Sequence, residues 1–202
     1  MLTIALPKGR IADETLDRFE KAFGEKFVFE DRKLILEKSG FKFLNVRNQD
    51  VPTYVMHGAA DLGVVGLDVL EEKEYDLIKL LDLKLGRCKV AFGLRAGEKL
   101  NFDKSKITIA TKHEKIAKKY FEEKAMAVEI IKLYGSIELA PLVGLCDCIV
   151  DIVETGETMK QNGLEVGPTI MESSAHLIAN KNSFYAKKDL IFDLKDRIEK
   201  YL

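Results

Sequence analysis

The sequence has no tryptophan and, among 202 residues, only four prolines, three cysteines and three histidines. The cysteines are odd in number, and Cys146-Asp-Cys148 is a C-x-C rather than a C-x-x-C, which argues against a disulfide framework or a redox motif. Reduced, partly buried thiols are the expectation. His57, His113 and His176 fall singly, none at ligand spacing to another histidine or cysteine, so no protein-built metal cage is expected. No apolar run approaches the roughly 20 residues of a membrane span. The opening LTIAL is broken by Pro7 and Lys8, too short for the apolar region of a signal peptide. A cytoplasmic location is expected. There is also no charge excess: 32 basic and 33 acidic side chains leave a formal net charge of −1. Nothing global therefore favours nucleic acid or an anionic membrane, and an anion site must be local.

What is present is an ordinary globular composition, 47% hydrophobic and 32% charged, enough for one large domain or two small lobes with cores of their own. Strand-like and helix-like runs alternate. LTIAL reads as a strand, and the stretch from about Asp13 to Phe23 places Leu16, Phe19 and Phe23 at helical spacing before Gly24. KLILEK and FKFLNV, split by Ser39-Gly40, read as paired strands. DVPTYVMHG is a short helix with Asp50 as its cap, DLGVVGL a buried strand, and Asp68 with Glu71 a capping box for the helix that follows.

From about Lys89 the pattern restarts. KVAFGL, ITIAT and VEIIKLYG are strands; Thr111 with Glu114 signals one helix, and Ser136 opens another through about Leu145. Strands near Val166–Met171 and Ala175–Asn180 and a basic amphipathic helix from about Lys187 complete the chain. Repeated strand–loop–helix units predict an α/β protein with a mainly parallel sheet in each of two lobes and a cleft between them. Residues 1–90 with 175–202 would form the first lobe and 91–174 the second.

The stretch CDCIVDIVETGETMKQNG carries the most specific chemistry. CIVDIV has four β-branched aliphatics and no turn residue, the profile of a central strand covered on both faces. Thr158 with Gln161 reads as a capping box and Gly163 as a stop, so Thr155-Gly156-Glu157 is a tight loop from a strand end to a helix start. Backbone N–H groups converge at such a place, glycine lets the backbone approach a ligand, and threonine hydroxyls can donate to a phosphate. Asp151 and Glu154 beside it suit sugar hydroxyls or a magnesium-bound phosphate. A bare T-G-x-T, however, is more often only a capped turn.

LPKGR at Leu6–Arg10, DVPTYVMHGAADLGVVGLDVL at Asp50–Leu70 and YGSIELAPLVGLCDCIVDIVETGETMKQNGL at Tyr134–Leu164 resemble, in order, the catalytic chain of the ATP phosphoribosyltransferases, which open histidine biosynthesis. The resemblance implies a two-lobed architecture like that of type II periplasmic binding proteins. It implies that Thr155, Gly156, Glu157 and Thr158 hold the 5-phosphate of phosphoribosyl pyrophosphate, Glu157 through its backbone. Because the chain stops soon after its basic helix, it resembles the short form, whose regulatory domain is replaced by a separate relative of histidyl-tRNA synthetase. A hetero-oligomer, as a hetero-octamer, and a homodimer of catalytic chains follow as expectations.

The implied reaction joins N1 of the adenine of ATP to C1 of the phosphoribosyl group, with inversion and loss of pyrophosphate. Breaking the C1–O bond gathers negative charge on pyrophosphate, so cationic donors are the expected catalytic device. By resemblance Arg10 and Arg32 contact the nucleotide and the leaving group, where arginine's fixed fork suits phosphate oxygens. Lys8 is a candidate point charge for pyrophosphate, Glu138 and Asp151 for the ribose hydroxyls or substrate-bound Mg2+, and Asp68 for the ATP side. Each also has a plainer role as a surface cation, a first-turn acid or a cap. Magnesium is expected to arrive with the substrates. The competing class is a two-lobed binding module without catalysis, since fold does not fix function; Lys8, Arg10 and Arg32 together favour the enzyme.

Overall fold

In the computed structural model, which describes residues 1–202, apolar runs become strands and the amphipathic runs between them become helices. The chain opens with β1 (Leu2–Pro7), α1 (Arg10–Phe23), β2 (Ile35–Lys38), β3 (Phe41–Val46) and α2 (Val51–Met56). It continues through β4 (Leu62–Gly66), α3 (Leu67–Lys73) and β5 (Ile78–Asp82). Then follow β6 (Cys88–Arg95), β7 (Ile107–Thr111), α4 (Glu114–Glu122), β8 (Val128–Lys132) and α5 (Leu139–Leu142). The last part holds β9 (Cys148–Val153), α6 (Glu157–Gln161), β10 (Leu164–Ser173), β11 (Ala175–Ala179), α7 (Lys181–Ala186) and α8 (Lys188–Glu199). No helix is long and apolar enough to cross a membrane.

The chain divides into two compact units, Met1–Gly86 with Ser174–Leu202, and Arg87–Ser173. The first carries a six-stranded sheet in the order β2-β3-β1-β4-β11-β5. β3, β1 and β4 run parallel, whereas β2 pairs with β3 and β11 with β4 and β5 in the antiparallel sense. One apolar layer is built on Phe19 of α1, whose ring stands edge-on to Phe41 and Phe43 at 5.4 and 5.0 Å. A second holds Val51, Val55 and Val69 against Val65 and Ile178. Aromatic rings packed edge to face add specific attraction to the large area they bury.

The second unit carries a five-stranded sheet in the order β10-β6-β9-β7-β8, in which β9, β7 and β8 are parallel and β6 is antiparallel to both of its neighbours. Its core has Phe92, Ile109, Phe121 and Val150 in one cluster, and Ile137, Ile149 and Met159 in another. CIVDIV is β9, inside the sheet, and its residues 148–150 are buried. Both sheets are thus mixed rather than mainly parallel. Strands reached through strand–helix–strand units give the parallel pairs, β2 and β3 form a hairpin across Ser39-Gly40, and β6, β10 and β11 enter their sheets from distant parts of the chain in the antiparallel sense.

Several local expectations are corrected by backbone geometry. α3 is capped by Gly66, so Asp68 lies inside the first turn rather than at the cap. α4 begins after His113, and Thr111 instead donates from Oγ1 to the Val150 carbonyl at 2.6 Å. Asp50 occupies the cap of α2 without a side-chain cap bond. The helix expected from Ser136 to Leu145 shrinks to the four residues of α5, because Ser136 has φ 49° and Gly144 has φ 73°. β5 and α7 were not anticipated as elements: DLIKLLDLKL mixes charge and apolarity without clear period, and α7 is six residues long.

Candidate functional site

In parallel α/β sheets, ligands gather outside the carboxyl ends of the strands, where loops lead into helix N-termini. In the second unit the register brings the ends of β7 and β8 level, Thr111 pairing with Lys132, while Thr111 pairs with Val150 of β9, which continues to Val153. Beyond β8 the chain reaches Glu138, and beyond Val150 come Asp151 and the Thr155–Thr158 loop. Together Glu138, Asp151, Thr155, Gly156, Thr158 and Met159 line one hollow of about 330 Å³.

The loop is shaped by Gly156, which caps α6 in the left-handed region at φ 83°. A Cβ at this position would meet Val166 Cγ2 at 3.0 Å, so side chain and backbone constraints both select glycine. The Glu157 N–H donates to Thr155 Oγ1 at 3.4 Å, and Gln161 bonds the Glu157 carboxylate rather than closing a box with Thr158. Thr158 is therefore a first-turn residue with an exposed side chain, not the cap expected from sequence.

Asp151 is largely sheltered, its side chain 14% exposed. Its Oδ1 accepts the Ile152 N–H at 2.8 Å and lies 3.0 Å from Lys112 Nζ and 3.9 Å from Nε2 of the buried His113. Lys112 and His113 escaped the sequence reading; the available signal was their place directly after the strand ITIAT, the same kind of junction that holds the glycine loop. No group of three or more histidine, cysteine, aspartate or glutamate side chains forms a metal cluster. The carboxylates of Asp151 and Glu138 do fit a magnesium ion that brings most of its oxygen ligands on the substrate's phosphates. The neighbouring thiols are of another kind: burial pushes Cys148 up to about 12 and Cys146 above its usual value, so both remain protonated packing groups.

The other sequence candidates lie in the first unit, again at carboxyl ends of parallel strands. The Lys8 N–H donates to the Val46 carbonyl at 2.8 Å, extending the β1–β3 ladder by one residue and fixing LPKGR at its end. Gly9, at φ 96°, turns the chain into α1, whose first residue is Arg10. Arg10 is exposed, its side chain 58% accessible, with Nη1 3.9 Å from Glu14 Oε1. Arg32 stands in the turn before β2 with φ 59°, unusual for a side chain of its size, at the same sheet end because β2 runs antiparallel to β3. Asp68, in the first turn of α3 after β4, is only 3% exposed and faces the helix's positive pole.

A family model for ATP phosphoribosyltransferase, HisG, matches residues 47–200. The chain belongs to the ATP phosphoribosyltransferase family. It is 68% identical over 200 residues to the ATP phosphoribosyltransferase of Wolinella succinogenes, covering 99% of this chain and 97% of that one. It is 60% identical over 202 residues to the ATP phosphoribosyltransferase of Helicobacter hepaticus, covering 100% of this chain and 98% of the relative. Among solved structures it resembles the ATP phosphoribosyl transferase (HisG:HisZ) complex of Thermotoga maritima, with TM-score 0.85 and 35% identity over 99% of this chain and 98% of that chain. A substrate-binding protein of an amino-acid ABC transporter aligns with TM-score 0.61 at 13% identity, covering 98% of this chain and 92% of the other. That second likeness speaks for the fold alone, the two-lobed α/β architecture of type II periplasmic binding proteins, which this ATP phosphoribosyltransferase family member shares.

Proposed function

We propose that the chain transfers the 5-phosphoribosyl group of phosphoribosyl pyrophosphate to N1 of the adenine of ATP, inverting C1 and releasing pyrophosphate, as the first step of histidine biosynthesis. The observation that carries this reading is the hollow in which Glu138, Asp151, Thr155, Gly156 and Thr158 converge, in a member of this enzyme family.

In this reading the amides of the Thr155–Thr158 loop and its two threonine hydroxyls hold the 5-phosphate, where glycine permits close approach and the helix end favours an anion. Asp151 and Glu138 accept hydrogen bonds from the ribose hydroxyls and adjoin the substrate's magnesium, which neutralises the phosphates. Lys8 serves pyrophosphate as a point charge, and Arg10 and Arg32 serve the nucleotide and the departing pyrophosphate with bidentate donors. As the C1–O bond breaks, the electron pair stays with pyrophosphate, and donors placed there are strengthened in the transition state relative to the ground state. Asp68, being buried, acts on the ATP side from beneath the surface.

A regulatory subunit resembling histidyl-tRNA synthetase completes the enzyme in this reading, supported by the Thermotoga maritima HisG:HisZ complex. A hetero-octamer containing homodimers of this chain is the proposed assembly. The three free thiols suit the reducing cytoplasm. The test is to supply ATP, phosphoribosyl pyrophosphate and magnesium to the chain, with and without the synthetase-like subunit, and to follow pyrophosphate together with the N1-ribosylated nucleotide. Both products at equal rates are expected, and neither product under both conditions would overturn the assignment.

A further inference from the structure

Asp151 presents an asymmetry. Its three polar neighbours, the Ile152 N–H at 2.8 Å, Lys112 Nζ at 3.0 Å and His113 Nε2 at 3.9 Å, all approach Oδ1. The carboxylate is thus gripped on one oxygen, while the residue lines the hollow. The grip comes from the turn between β7 and α4, and that turn is itself tied down. Thr111 Oγ1 accepts the His113 N–H at 2.8 Å and donates to the carbonyl of Val150, the residue before Asp151, at 2.6 Å. Lys112 sits between these two anchored residues, so its backbone is fixed relative to β9. The hollow also collects the carboxylates of Glu138, Asp151 and Glu154, an acidic wall for a substrate that carries phosphate and pyrophosphate.

We infer that Lys112 is a positioning residue for phosphoribosyl pyrophosphate: it holds Asp151 by Oδ1, turns Oδ2 toward the ribose hydroxyls and offsets the carboxylate's charge against the incoming phosphates. The inference rests on Asp151 being the ribose carboxylate. The lysine is 38% exposed and the carboxylate 14%, so the pair also adds modestly to stability, and substrate affinity is the readout that separates the two roles. A hydrogen bond that orients a charged group matters at the step where that group meets its ligand.

The test uses the complete enzyme, with its regulatory subunit if activity requires it, and three variants: Lys112→Met, Lys112→Arg and Asp151→Asn. Lys112→Met is expected to raise the KM for phosphoribosyl pyrophosphate about tenfold, to leave the KM for ATP and kcat within about twofold, and to lower the melting temperature only by a few degrees. Lys112→Arg restores most of the affinity, which separates loss of the cation from damage to the turn. Asp151→Asn raises the same KM, and adding Lys112→Met to it has no further effect, since the lysine acts through the carboxylate. A normal KM in Lys112→Met beside a raised one in Asp151→Asn overturns the positioning role and leaves the ribose carboxylate standing. Independent, multiplying effects would mean that Lys112 touches substrate itself, which also overturns it. A normal KM in Asp151→Asn removes the ribose reading and this inference with it.

Discussion

Gly156 concentrates two constraints in one residue, a left-handed φ of 83° and a Val166 methyl 3.0 Å from where a Cβ would stand. Gly156→Ala is therefore expected to cost about 1–2 kcal/mol in denaturant unfolding and to weaken phosphoribosyl pyrophosphate in a calorimetric titration, because the loop amides must shift. Thr158→Ala separates those effects. Its hydroxyl does not cap α6, so affinity is expected to fall about tenfold, as for a lost hydrogen bond to a charged group, while stability stays within about 0.5 kcal/mol. Wild-type affinity in both variants would place the 5-phosphate elsewhere. Arg10→Ala, at an exposed helix start, is expected to lower kcat more than it raises either KM, and Arg10→Lys to recover little, because an ammonium cannot reproduce the guanidinium fork. Single-turnover measurement of pyrophosphate release checks this.

Elements depend on a few ties that join distant parts of the chain. Lys187, at the start of α8, meets both carboxylate oxygens of Asp61 at 2.8 Å, while the Thr3 N–H donates to the same carboxylate at 2.9 Å. One clip thus holds β1, β4 and the C-terminal helix. Burial alone would push the Asp61 carboxyl up, but Lys187, the Thr3 N–H and Ser183 outweigh it and hold the group below the usual carboxylate range. A folded value below the unfolded one means that this stabilisation is full above about pH 4, the unfolded range, and is lost as pH falls through the folded value. Asp61→Asn is accordingly expected to cost about 1–2 kcal/mol in urea unfolding at pH 7, with variant and wild type converging in strong acid. Such ties were not legible in the sequence, where Lys187 and Asp61 are 126 positions apart. Strands with strong β-branched runs, such as LGVVG and CIVDIV, were legible because burial on both faces leaves a continuous apolar signature. Caps were misread at Asp68, Thr111 and Thr158 because their S/T/D-x-x-E/Q spacing is a local pattern, while the backbone turned at Gly66, His113 and Gly156 instead. The convergence of Glu138 with the glycine loop depends on β8 and β9 flanking β7, a register that local periodicity does not encode. Lys112 and His113 were missed for the same reason.

At the scale of the molecule, the second unit is continuous in sequence, Arg87–Ser173, and contains both its own sheet and every residue lining the hollow proposed for the 5-phosphate. An excised segment 87–173 is expected to fold, giving dispersed amide resonances, and to retain weak affinity for ribose 5-phosphate but none for ATP. Loss of ribose 5-phosphate binding in a folded segment would show that the hollow is not sufficient for the phosphate. The first unit differs, because its sheet takes β11 from beyond residue 173 in the sequence, and β5 pairs only with β11 in the order β4-β11-β5. During synthesis β2, β3, β1 and β4 can pair as they emerge, but β5 leaves the ribosome with no strand to join until the whole of Arg87–Ser173 has been made. One edge of the first unit's sheet therefore waits for the second unit to be finished.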